Sequence, residues 1–200
     1  MRILIAGIVG GLVAFFCGAF NHMVLEWGGR AFSPLKDEAK IKAFFKEENY
    51  PAGIYQLPDM PRGPAKERTT EVMEKLNEEY KQGPAVLFIV HPTGQDMMGP
   101  GTLGMELLSN IGCALIVSWI ASQCRPGYLN RFLVVMLAGV FGWLSISESY
   151  HIWYRFPWEF IRDELYGALS EWSIAGLFIT MIIGQGVTRA KDPLELPNPI

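Results

Sequence analysis

Hydrophobic positions are spread very unevenly along this chain. Apolar tracts cover residues 3–24 (ILIAGIVGGLVAFFCGAFNHMV), 103–122, 132–153 and 166–187. Each matches the roughly 20 residues of helix that cross a bilayer. No alternating apolar and polar pattern recurs, which argues against a β-barrel, so the four tracts are predicted as helical spans. The block between the first and second tracts is polar but patterned. Residues 37–48 (DEAKIKAFFKEE) place Ile41, Phe44 and Phe45 at helical spacing behind acidic first-turn residues. Residues 53–57 (GIYQL) read as a strand ending at Pro58. Residues 64–82 read as a second helix with a Val72, Met73, Leu76, Tyr80 stripe, closed by Gly83-Pro84. Residues 85–90 (AVLFIV) form a second strand, stopping at His91-Pro92, that can pair with the first. Residues 157–165 (PWEFIRDEL) read as a short amphipathic helix with Arg162, Asp163 and Glu164 toward water.

The expected fold is membrane all-α: four transmembrane helices, with a small extracytoplasmic α+β cap inserted between the first and second. The expected divisions are 1–26 for the first helix, 27–102 for the cap, 103–187 for helices two to four with the outer segment at 157–165, and 188–200 for a cytoplasmic tail. Composition agrees: of the 200 residues, 50% are hydrophobic and only 18% charged, and mean hydropathy is +0.19. A soluble domain carries about 25% charged residues. The net charge of -3, with no basic patch, excludes a nucleic-acid partner. Three cysteines, none in the polar block, exclude a disulfide-stapled secreted domain.

Orientation follows from basic residues near the span ends. Arg2 precedes the first span, Arg125 and Arg131 bracket the short 123–131 connection, and Arg189 and Lys191 follow the fourth. The 27–102 block mixes its Lys and Arg with Asp and Glu, and is long enough to translocate regardless of charge. Both termini are therefore expected in the cytoplasm and the cap outside, in a bacterial inner membrane. The first tract exceeds the apolar core of a typical signal peptide. Cys17 follows two phenylalanines where a lipobox needs a small residue, so that tract is read as a retained span.

Small residues recur at four-residue spacing in the first span (Gly7/Gly11, Ala14/Gly18) and in the third (Ala138/Gly142). Such pairs let helix backbones approach, within this bundle or against another subunit. Aromatics crowd the outer end of the third span and the following loop, from Tyr150 to Trp172, as an interfacial belt or as the seat of a partner helix or flat cofactor.

Ionisable residues inside spans are functional candidates. Here they are His22, Glu26, Glu106, Glu148, His151 and Glu171. At about 1.5 Å per residue, Glu148 lies roughly 26 Å from Arg131, and His22 at a similar height, so the six share one outer layer. Glu148 and His151 form a Glu-x-x-His pair on one helix face, and His22 and Glu26 share another. This resembles the inventory of a dinuclear carboxylate site, but with one Glu-x-x-His pair instead of two. A single metal on His22, Glu148 and His151, a haem on His22 and His151, a pigment on either histidine, and a proton- or quinone-related role are the chemical readings. The alternative is an ordinary interfacial layer holding no cofactor. No nucleophile motif, phosphate loop or dinucleotide fingerprint occurs, so no enzymatic activity is expected.

Three features together, Ala19-Phe20-Asn21-His22-Met23-Val24-Leu25, Gly53-Ile54-Tyr55 with Val90-His91-Pro92, and Tyr154-Arg155-Phe156-Pro157, resemble a widespread uncharacterised family of bacterial four-span membrane proteins. The charged helix at 64–82 looks like an insertion into that pattern. The resemblance implies four spans and an outer cap, and carries no activity. The expected role is an accessory subunit of a larger inner-membrane complex, with respiratory or photosynthetic electron transfer as the guess. Its partners would be the bilayer and other membrane subunits, one of them holding the polar, proline-containing tail. The rival is a stand-alone metal-, haem- or pigment-binding redox protein.

Overall fold

The computed structural model describes residues 1–61, 68–94, 96–124 and 127–184, which form two compact units. The larger comprises Met1–Ser33 and the chain from Met97 onward; the smaller is Pro34–Asp96.

The larger unit contains α1 (Arg2–Met23), a 3₁₀ turn (Gly29–Ala31), and three further helices. These are α4 (Pro100–Gln123), α5 (Tyr128–Tyr154) and α6 (Trp158–Gly184); α2 and α3 belong to the smaller unit. All four long helices are apolar and long enough to cross a membrane. Small residues occupy the interior: Ala6, Ala14, Ala114, Ala121 and Ala175 are essentially inaccessible. Phe16, Leu108, Phe141 and Met181 point outward instead. Lipid tails are as apolar as leucine, so close packing rather than hydrophobic burial selects what goes inside.

Glycines set the packing. A Cβ on Gly7 would stand 2.8 Å from Leu115 Cα, and one on Gly11 would stand 2.5 Å from Ile111 Cα. Gly10 meets the Ile179 side chain and Gly139 the Trp172 side chain, each at 2.5 Å. These pairings run α1 antiparallel to α4 and α6, and α5 antiparallel to α6. The small residues of α1 thus serve packing within the chain. By contrast, α4 touches α5 and α6 only lightly.

The segment 157–165 is not a separate surface helix. It forms the first turns of α6, which is continuous from Trp158. Pro157 ends the preceding turn, and its carbonyl accepts from the Phe160 and Ile161 amides, while no proline or glycine interrupts residues 158–166. Asp163 does not face water but is buried against the turn after α1. Between α5 and α6 the chain reverses through Arg155 in the left-handed region (φ 59°), where its amide donates to the His151 carbonyl. The end of the fourth predicted span, the tail at 188–200, Arg125, Arg189, Lys191 and the start of the predicted 64–82 helix lie outside the described residues.

The smaller unit holds α2 (Glu38–Glu47), β1 (Gly53–Leu57), α3 (Thr70–Gln82) and β2 (Val86–Val90). Asp37 caps α2 by accepting from the Lys40 amide, and Thr69 caps α3 by accepting from that of Val72. The strands pair antiparallel, from Gly53↔Val90 to Leu57↔Val86. Phe45, Tyr50, Tyr55 and Phe88 make successive edge-on ring contacts on one sheet face. On the other, Gln56 donates to the Tyr80 hydroxyl, which in turn donates to the Pro58 carbonyl. Among the described residues only Leu76 and Val90 are buried hydrophobics here, a modest core.

Candidate functional site

The light contact between α4 and α5 leaves the bundle incompletely filled. A cleft of about 1060 Å³ runs inside the larger unit, with walls from all four long helices. One end is apolar, formed by Phe15, Ile116, Val117, Ile120, Ala138 and Trp172. Its other end gathers the polar groups Asn21, His22, Glu106, Asn110, Glu164 and Glu171. Antiparallel packing explains that segregation. The C-terminal half of α1 and the first turns of α4 and α6 meet at one level, bringing residues distant in sequence to one mouth.

Amides orient two of the carboxylates. Asn21, only 3% exposed, donates from Nδ2 to Ser170 Oγ (2.8 Å) and to Glu171 Oε1 (3.2 Å). Asn110 donates from Nδ2 to Glu106 Oε1 at 2.9 Å, one helical turn away. His22 Nδ1 lies 2.9 Å from the Trp27 carbonyl oxygen. A carbonyl only accepts, so Nδ1 carries a proton and Nε2 is the ring nitrogen left for another partner. The carboxylate of Glu164 and the His22 ring both come within 3.6 Å of where a Gly28 Cβ would stand.

The rim of the mouth is held by an ion pair. Asp163 has no exposed side-chain surface, and it accepts from Arg30 Nε and Nη2 at 2.7 Å each. It also accepts from the Gly28 amide at 3.2 Å and from Arg162 at 3.1 Å. Gly28 reaches that carboxylate with φ 80°, a conformation open to glycine at little cost. The hydrogen bonds to Asp163 raise the pKa of Arg30 further above its usual range. Fastened this way, the turn places Trp27 against Tyr166 (ring centroids 5.7 Å apart) and on the cleft wall.

The residues singled out from the sequence separate here. His22, Glu106 and Glu171 line the cleft; Glu26, Glu148 and His151 do not. His151 Nδ1 is 2.7 Å from the Phe156 carbonyl oxygen, and its ring contacts Trp158. Glu148 is half-buried, with Oε2 lacking a hydrogen-bond partner. His22, Glu148 and His151 are not assembled as a ligand set: among the described residues, no three His, Cys, Asp or Glu side chains group to hold a metal ion. Of the aromatic run, Trp153, Tyr154 and Trp158 are exposed, whereas Trp172 packs inward onto the core.

Sequence reasoning missed Asn21, Asn110, Glu164 and the Arg30–Asp163 pair. Signals existed: Asn21 is a polar residue in an apolar tract, and Asn110 falls one turn after Glu106. An arginine just beyond one span and an aspartate entering another are candidates for pairing. No protein-family model, curated protein or solved structure matches the chain.

Proposed function

We propose that this chain is a multi-pass membrane protein whose bundle holds one amphiphilic, lipid-like molecule. The tail lies among the apolar walls and the head meets the polar mouth. The cleft carries this reading. Close-packed interiors hold few voids larger than a water molecule, and small-molecule pockets commonly span about 300–1,000 Å³. A space of about 1060 Å³ with an apolar body and polar groups at one end suits an amphiphile. The distribution of basic residues supports placement in a bacterial inner membrane, with both termini inside and residues 27–102 outside. The mouth, at the level of His22 and Glu106, then belongs to the outer leaflet.

A second reading is the accessory subunit of a larger inner-membrane complex, with a partner helix in the same cleft. The light α4–α5 contact favours it, because it leaves the bundle open along one flank.

The test is native mass spectrometry of the chain purified in gentle detergent, beside Gly142→Leu. Gly142 lines the cleft, and a Cβ added there meets nothing within 4 Å, so a leucine side chain can start into the cavity without a clash at its base. The expected result is a stoichiometric small-molecule adduct on the natural chain that is reduced in the variant. Co-purifying subunits displaced by the same substitution would favour the second reading. An adduct-free, partner-free chain would overturn both.

A further inference from the structure

Resting on the cleft reading, the chemistry of the mouth narrows the class of molecule held. We infer that the head is a cation with several N–H donors, so that the occupant is a long-chain primary amine carrying no phosphate. Hydrogen-bond capacity and charge point the same way. Besides Asp163, which is paired with two arginines, three carboxyl groups line the cleft, Glu106, Glu164 and Glu171, and an ionised carboxylate only accepts. The two amides that could donate are engaged: Asn21 with Ser170 and Glu171, Asn110 with Glu106. His22 spends its Nδ1–H on the Trp27 carbonyl.

Nearby cations are committed as well. Both Arg30 and Arg162 bond Asp163, the carboxylate beneath the rim turn. The mouth therefore gathers carboxylates at one end of an apolar cavity, where a charge without a counter-charge is costly and a cationic head would pair with them. A phosphate or carboxylate head would add a like charge and more acceptors to this set. An alcohol would supply one donor and no charge. An ammonium supplies three donors and the missing positive charge, and the hydrogen bonds it makes to carboxylates are the stronger, charge-assisted kind.

The test uses the full chain in nanodiscs of zwitterionic lipid, at neutral pH. Three twelve-carbon probes are compared, a primary amine, the matching alcohol and the matching carboxylate, each brominated along the tail. Quenching of Trp27, Trp143 and Trp172, which line the cleft, reports occupancy, and Gly142→Leu subtracts quenching from the surrounding lipid. The amine is expected to bind about ten-fold or more tightly than the alcohol, and the carboxylate more weakly than either. In a Glu164→Gln/Glu171→Gln double variant the amine's advantage should disappear while alcohol binding persists, which shows that the variant keeps its cavity. Equal binding of amine and alcohol to the natural chain, or preference for the carboxylate, would overturn the amine head and leave the cleft reading standing. Quenching by all three probes that Gly142→Leu does not reduce would overturn the cleft reading itself, and the amine head with it.

Discussion

Replacing Gly11 by alanine tests whether helix approach governs this bundle. The new Cβ would stand 2.5 Å from Ile111 Cα and 2.7 Å from the Ile111 backbone nitrogen. Carbon atoms in favourable contact stand about 3.5–4.0 Å apart, so α1 and α4 must separate by about 1 Å. Backbone atoms cannot rotate away as the end of a side chain does. A radial gap of about 0.5–1 Å forfeits a quarter to a half of each dispersion well, and overpacking typically costs about 1–3 kcal/mol. Alanine's helix propensity advantage over glycine, about 1 kcal/mol, offsets part of this. The expected net destabilisation is about 1 kcal/mol.

Gly112 of α4 is the control, because an added Cβ there has no neighbour within 4 Å. Gly112→Ala should be neutral or stabilising by up to about 1 kcal/mol. The assay is unfolding in mixed bicelles by titration with sodium dodecyl sulfate, followed by tryptophan fluorescence. Two variants of the same sign, agreeing within about 0.5 kcal/mol, would refute the argument that α1 glycines exist for contact with α4.

Other outcomes follow from the rim and the smaller unit. Arg30→Ala should destabilise the bundle more than Asp163→Asn in the same assay. The first leaves a carboxylate with no exposed surface to Arg162 and the Gly28 amide alone, while the second releases an arginine side chain that is already 45% exposed. Equal losses would count against that asymmetry. Thr69→Ala removes the acceptor for the Val72 amide and should cost about 1 kcal/mol, read as faster hydrogen exchange in the first turn of α3. Glu38 is held below the ordinary carboxylate range by its hydrogen bond and charge pairing with Lys42. Its folded pKa lies below the unfolded value, so its small stabilisation is present at neutral pH and fades as pH falls through the folded pKa. An NMR titration of the side-chain carboxyl should show the depressed value, and Lys42→Ala should return it to normal.

Residue pattern alone determined the elements whose cause is local. Apolar tracts of sufficient length located the four long helices, since helix formation needs only partners within the chain segment. The helices and strands of the smaller unit were legible from cap residues, apolar spacing and proline stops. Its strand 53–57 agrees with β1 as observed, because turn chemistry and β-branched or aromatic content act over a few residues. The small residues of α1 announced close packing, though not that Leu115, Ile111 and Ile179 would be what they meet.

The site was legible only in fragments. His22, Glu106 and Glu171 stood out as ionisable residues in apolar surroundings, and they do meet. So did Glu148 and His151, which have the same sequence signature and do not line this cleft. Asp163 looked like a surface charge because its own helix offers only the adjacent Arg162; its burial depends on Arg30 and Gly28, which lie 133 and 135 residues away. The cleft is likewise a property of how tightly α4 and α5 meet. Pattern in one dimension records which residues avoid water, whereas pairing of charges and unfilled space arise only from the packing of helices against one another.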